Sequence, residues 1–411
     1  MTDSWHPRRA NRALSYRNYR LFLSGAIVSN SGVWVQMIAL AYVIEHLTDS
    51  GTWVGLGAVM QTLPAVVFGM VGGWLGDRFP RRIMLIFTNS AQALIALVFS
   101  AMWAWGVDRP VAYIALGALT GCVNGIQLPA WQAFVSELVP RGALLNAVTL
   151  NSAQFNAARA VGPAVGGVVL AIGGPAWSFL VNALSYVPAV MVLALIQVPR
   201  KEPTTGGERS NIFTDAIAAL RFVSTHAGIR RAIMTAGVIA LLGQPIIHLV
   251  VIFADDVFVV DEVRYGILAA AAGAGAALNT PFVITWGSRA SRSRLVGLGW
   301  PVYGIALLGF AVSPYYWLAV VALAVVGAAH IITASTLNTV IQLQVTEALR
   351  AKVLALYLMT LLAGLPIGAQ IQGALADVVG PRYAVGGAGV LLAVIALAWV
   401  SSGRTKVLDL Q

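Results

Sequence analysis

Residues 151–167 read NSAQFNAARAVGPAVGG: a polar lead-in, an arginine among alanines, then a proline set in glycines. Arginine keeps its charge and holds five N–H donors in a planar fork. Arg159 therefore suits either an anionic or carbonyl-rich ligand, or a clamp on carbonyls of the protein itself. The side chains able to exchange protons away from the basic loops are few. The candidates singled out are the acids Glu45, Asp255 and Asp256 and the imidazoles of His248 and His330. Bond-breaking chemistry has no such support. There is no G-x-x-x-x-G-K-S/T loop for a nucleotide phosphate, and no His/Glu pair has metallohydrolase spacing. The run GAGAGAALN from position 273 lies in an apolar stretch, where small residues serve helix packing. The residues point to binding and release, with no enzyme activity, metal or cofactor expected.

These side chains must be held by apolar elements. The chain has 411 residues, 58% hydrophobic and only 10% charged, which places it in the bilayer class. A helix needs roughly 20 residues to cross about 30 Å of hydrocarbon. Twelve such segments are expected near 20–45, 53–76, 83–106, 110–136, 143–172, 176–198, 231–254, 264–286, 295–313, 315–340, 351–376 and 382–402. Apolar runs dominate over alternation, so the expected fold class is an all-α integral membrane protein. The formal charge of +10 is scattered between apolar runs and forms no nucleic-acid stripe. With both termini inside, cytosolic segments hold 22 Lys/Arg, against Arg109, Arg264 and Arg382 outside. That asymmetry predicts cytosolic N and C termini. The first twenty residues, with five arginines, read as a cytosolic lead-in and not a signal peptide. The lone Cys122 allows no intramolecular disulfide.

A polar stretch near 199–230 divides the chain into six-span halves, 1–198 and 231–411. Within it Phe213, Ala216, Ile217, Leu220 and Val223 share one helical face, so 212–224 is expected to lie flat on the inner membrane surface. Pro163 and its glycines recur as GLPIGAQIQG around Pro366, 203 positions on. Two pseudo-symmetric six-helix bundles suggest a transporter assembled from repeats.

Residues 72–82, GGWLGDRFPRR, carry Gly73, Leu75, Asp77, Arg78, Arg81 and Arg82 in the spacing G-x-L-x-D-R-x-G-R-R/K, with Pro80 in place of the second glycine. This resembles the loop signature of the major facilitator superfamily. The segments NYRLFLSGAIVSNSGVWVQMIALAYVIEHLTDS, LNAVTLNSAQFNAARAVGPAVGG and GALADVVG are similar to the drug and siderophore exporter branch of that superfamily. The resemblance implies twelve helices, alternating access and export by proton antiport from the bacterial cytoplasmic membrane. Its partners would be a small-molecule substrate, protons and the lipid bilayer, and a monomer is expected. Asp77 would latch the cytosolic gate by accepting hydrogen bonds from a helix end or an arginine. WGSRASRSR, the corresponding loop of the second half, lacks the aspartate.

The run GPAVGG resembles the core of the fifth-helix motif of antiporters, although Ala158 and Thr149 replace its upstream glycines. Gly162, Pro163, Gly166 and Gly167 are thus expected to form a hinge, the glycines allowing close packing and the proline favouring a bend. Only thirteen apolar residues follow Arg159, so the polar stretch before it must enter the membrane too. An arginine at a helix centre costs roughly 2.5–3.5 kcal/mol and should face water, a partner or cargo. In the superfamily the first, fourth, seventh and tenth helices line the path. By that resemblance Gln36, Asn124, Gln127, Arg159, Gln244, His248, His330 and Asn338 are substrate-binding candidates, with Trp34, Trp131 and Tyr357 as aromatic surface. Taken alone, each polar group reads first as an interhelical hydrogen-bond partner and only then as a ligand contact. Val33 stands where related exporters often carry an acid, which leaves Asp255, His248 and Glu45 as proton-coupling candidates; the acids also read as ordinary outer-loop charges. The leading function is secondary export of lipophilic or anionic small molecules of drug or siderophore type. A lysophospholipid flippase or solute importer of the same superfamily is the alternative, and a non-transporting membrane receptor or scaffold a remote one.

Overall fold

The computed structural model describes residues 13–76, 78–196, 220–286, 290–345 and 347–409, and among them there is no strand. The expected spans form as helices α1 (Arg17–Thr48), α2 (Gly51–Gly76), α3 (Arg81–Ala104) and α4 (Pro110–Glu137). A single 52-residue stretch, Leu144–Leu195, follows. At about 1.5 Å per residue it is more than twice as long as one crossing needs. It breaks at Gly174, whose φ of 71° and ψ of −172° suit a residue without Cβ. The pieces are α5 (144–173) and α6 (175–195). Next come α7 (Ala227–Val257), α8 (Glu262–Trp286), α9 (Arg292–Val312), α10 (Tyr316–Gln344), α11 (Glu347–Val379) and α12 (Pro381–Ser401). Among the described residues eleven helices are long and apolar enough to cross a membrane, the double stretch counting once. Large apolar side chains point outward along them, among them Ile172 at 84% exposure and Leu278 at 82%. Water would not tolerate so many; hydrocarbon does.

The chain divides into two compact units. The first takes the described residues within 1–43 and 63–205, the second those within 44–62 and 206–411. The C-terminal end of α1 and the N-terminal half of α2 are therefore grouped with the second unit, not with the six-span half that carries them in sequence. Most of the linker, and the part before Leu220 of the helix expected to lie flat, fall outside the described residues.

Each unit repeats the same close contacts. In the first, a Cβ on Gly72 of α2 would stand 2.7 Å from Ile126 of α4, and one on Gly125 of α4 would stand 2.5 Å from the Ala65 carbonyl of α2. In the second, Gly275 of α8 meets Ala324 of α10, and Gly327 of α10 meets Ala272 of α8. Gly162 and Gly166 of α5 press on α1, while Gly364 and Gly368 of α11 press on α7. Every one of these glycines is matched at an offset of 202 or 203. Small residues let helix backbones approach where no hydrophobic force distinguishes helix from lipid. GAGAGAALN is thus a packing surface.

Candidate functional site

In the first unit α1 lies between α5 and α6. Along the α5 seam Asn30 Nδ2 donates to Gln154 Oε1 at 3.0 Å, Gly162 fits against Trp34, and Gly166 fits against Val35 and Ile38. Both series rise in number together, so α1 and α5 run in the same sense. Gln154, Ala158, Gly162 and Gly166 form one buried stripe at i, i+4 spacing. Arg159 is one position on from Ala158, turned about 100° out of that seam, and is half-buried. The backbone stays helical through Pro163; within Leu144–Leu195 only Gly174 departs from helical dihedrals.

Along the α6 seam the order reverses. Gly25 meets Ala189, Gly32 meets Ser185 and Asn182, and Gln36 Oε1 accepts from Asn182 Nδ2 at 2.7 Å. Gln36 is 6% exposed and Asn182 1%, so this amide pair closes its own bonds inside the bundle. Asn124, on an exposed stretch of α4, accepts at Oδ1 from Gln92 of α3 at 3.3 Å; Gln127 is half-buried. The Trp131 ring lies 4.7 Å from that of Phe22, tilted by 50°, beside a buried aromatic and aliphatic cluster.

The loop motif is held to its own unit. Arg81 forms an ion pair with Glu137 at the end of α4. Arg82 donates from Nε to the Leu193 carbonyl at 2.6 Å and from Nη2 to that of Ala194, satisfying carbonyls that the end of α6 leaves without partners. The Arg78 guanidinium lies 3.8 Å over the Trp74 ring. A Cβ on Gly73 would meet nothing within 4 Å. Asp77, the expected latch, lies outside the described residues.

In the second unit α7 is broken by two π-helical turns, Ile239–Gly243 and Phe253–Val257. Pro245 lacks an N–H, which frees the Leu241 carbonyl four residues back. Gln372 of α11 donates to it at 3.2 Å and to the Leu242 carbonyl at 3.0 Å. Gly368 makes room, since a Cβ there would sit 2.0 Å from the Leu241 oxygen. A neighbouring helix thus repairs the break, as a bilayer demands. Gln244 sits half-buried at this break; His248 follows it, 9% exposed in an otherwise apolar turn. His330 of α10 is half-buried with its ring 5.9 Å from Tyr303, and Asn338 accepts from Gln342 on the same helix. Tyr357 is buried at 3% exposure.

The acids gather at the C-terminal ends of α1 and α7. Glu45 corrects the reading of an outer-loop charge: it lies inside helix α1, 2% exposed, and its Oε2 has no hydrogen-bond partner. Asp255 and Asp256 lie in the second π turn and are exposed. Asp377, a residue the sequence reading quoted in GALADVVG but gave no role, accepts four hydrogen bonds. They come from the hydroxyls of Ser50 and Thr52 and the backbone N–H groups of Gly51 and Thr52, at 2.5–3.0 Å. It caps the N-terminus of α2 from α11. Asn182, Gln154, Gln92 and Gln372 were likewise missed; their signal was a lone amide in an apolar run, where an intramembrane polar group needs a named partner.

Comparison with known proteins matches this arrangement to membrane transporters. A family model described as transmembrane secretion effector matches residues 10–408. The enterobactin exporter of Salmonella typhi is 27% identical over 377 residues, covering 88% of this chain and 86% of that protein. The staphyloferrin A transporter of Staphylococcus aureus is 22% identical over 365 residues, covering 88% and 90%. In fold, the chain is similar to an inward-facing, unoccupied bacterial homologue of the human lysosomal transporter Spinster, with TM-score 0.70 and 16% identity over 95% of this chain and 98% of that one. It is similar also to the nucleoside transporter NupG, with TM-score 0.69 and 13% identity over 96% and 100%. Matched along nearly its whole length, the chain belongs to the transmembrane secretion effector family of the major facilitator superfamily, as a multi-pass membrane transporter and not an enzyme.

Proposed function

We propose that the protein is a secondary exporter of anionic or lipophilic small molecules of the siderophore type, working by alternating access and proton antiport in a bacterial cytoplasmic membrane, with both termini in the cytosol. The observation that carries this reading is the likeness to an enterobactin exporter and a staphyloferrin A transporter along 88% of the chain. Arg159 supplies the recognition chemistry. It stands beside the α1–α5 seam as a fixed cation, half-buried, where a carboxylate or catecholate oxygen would find a charge-assisted donor. In the same unit Gln127 adds a neutral hydrogen-bonding group, whereas Gln36 and Asn124 are better read as structural because Asn182 and Gln92 already donate to them. Glu45 is the leading proton carrier, ahead of Asp255 and His248, because a buried carboxylate oxygen without a partner has a proton as its simplest complement.

The test is accumulation of a catecholate siderophore, a macrolide, a cationic dye and a lysophospholipid in pump-deficient cells expressing wild type, Arg159→Gln or Arg159→Lys. Wild type should lower accumulation of the anionic siderophore. Arg159→Gln should abolish that effect at equal protein level, with Arg159→Lys retaining part of it. Export indifferent to Arg159→Gln would return the arginine to a structural role. If wild type lowers only the lysophospholipid, a flippase replaces the exporter.

A further inference from the structure

Glu45, Asp49 and Asp256 each bring one carboxylate oxygen into a group in which these atoms all lie within 4.8 Å of one another. Asp49 and Asp256 are exposed, while Glu45 is buried beneath them with Oε2 unpartnered. Among the described residues no lysine or arginine forms an ion pair with any of the three. Two neighbouring acids do not complete the group. Both oxygens of Asp377 are engaged with Ser50, Gly51 and Thr52, and Asp255 adds only to the negative field around Glu45. A buried carboxylate facing further carboxylates, with no lysine or arginine paired to it among the described residues, calls for a positive charge from outside.

We propose that Glu45, Asp49 and Asp256 form a binding site for a hard divalent cation, Ca2+ in the first place, where α1 and α7 end in the second unit. The ligand set contains oxygen alone, with no thiolate or imidazole, which selects Ca2+ or Mg2+ over zinc or copper. Two oxygens each about 2.4 Å from a shared Ca2+ are at most about 4.8 Å apart, the spacing the three carboxylates satisfy. Glu45 is the floor of the site, and the two exposed aspartates leave the remaining positions to water and give the ion its entry. The inference rests on this geometry, and because a ligating carboxylate is deprotonated, the cation and the proton proposed above would compete for Glu45.

Mn2+ binding to the purified, chelator-stripped full-length protein, read by electron paramagnetic resonance with Ca2+ as competitor, tests it without substrate or gradient. Wild type should hold a single Mn2+ that Ca2+ displaces. Glu45→Gln and Asp256→Asn should each weaken binding by roughly tenfold or more. Asp108→Asn, an acid remote in sequence from the cluster, should leave it unchanged. Asp49→Asn carries the test with Asp256→Asn if Glu45→Gln does not yield folded protein. No retained Mn2+ at about 1 mM, retention indifferent to the cluster variants, or equal loss in Asp108→Asn would each overturn the site.

Discussion

At the scale of single residues, the polar groups inside the bundle divide by whether their bonds are already closed. Gln36 with Asn182, Asn30 with Gln154, and Gln372 with the Leu241 and Leu242 carbonyls each satisfy a partner inside the protein. Asp377 does the same for a helix end, with four hydrogen bonds converging on one carboxylate. Asp377→Ala leaves the first N–H groups of α2 without their acceptor, a loss of about 1–2 kcal/mol for a helix cap. The expected outcome is a lower melting temperature of the purified protein in detergent, with Asp377→Asn intermediate because its amide oxygen still accepts. An unchanged melting temperature in Asp377→Ala would remove the capping role. The residue types were legible in the sequence, but their pairing was not. Nothing in the spacing of Gln36 announces Asn182 at 146 positions' distance, because side-chain pairs between helices depend on rotation about each axis. Arg159 shows the opposite case: its charge was evident, and one position on from a buried stripe is as far as helical periodicity takes it.

At the scale of elements, glycine decides which helices touch closely. The apolar runs read from sequence map onto α1 to α12 with ends shifted by a few residues, since length and hydropathy alone are enough to specify a crossing helix. The π turns of α7 were not legible. The first of them goes with Pro245 freeing a carbonyl and Gln372 arriving from another helix to meet it. Around Pro163 the dihedrals stay helical, and the non-helical residue of this stretch is Gly174, where α5 gives way to α6. Gly368→Ala places a methyl group on the Leu241 carbonyl, and overpacking of this kind typically costs about 1–3 kcal/mol. Gly309 of α9 has nothing within 4 Å of the corresponding position. Gly309→Ala should therefore be neutral or stabilising by up to about 1 kcal/mol, as helix propensity alone dictates. Thermal unfolding of the two variants side by side separates packing from propensity. Equal behaviour would mean that the α7–α11 contact is not tight.

At the scale of the whole molecule, the repeat was visible in sequence as one proline–glycine cluster, and the structure extends it to reciprocal glycine contacts in both units. The symmetry does not extend to charge. The buried carboxylate Glu45 and its neighbours Asp255 and Asp256 all belong to the second unit, and Arg159 belongs to the first. Under the proposed antiport, recognition of an anion and uptake of a proton then fall to different units, so they should be separable by mutation. In inside-out vesicles, wild type should accumulate substrate when an acidic interior drives it, and should stop when an ionophore collapses that gradient. Glu45→Gln cannot release a proton from that position. It should lose gradient-driven accumulation by an order of magnitude or more, yet still exchange labelled for unlabelled substrate across the membrane. Arg159→Gln should lose both, because a carrier that does not bind its cargo has nothing to exchange. If Glu45→Gln accumulates substrate as wild type does, the proton travels on another group, with Asp255 and His248 next in order. If exchange fails along with accumulation, Glu45 supports the fold or the cargo site, and its assignment to coupling falls.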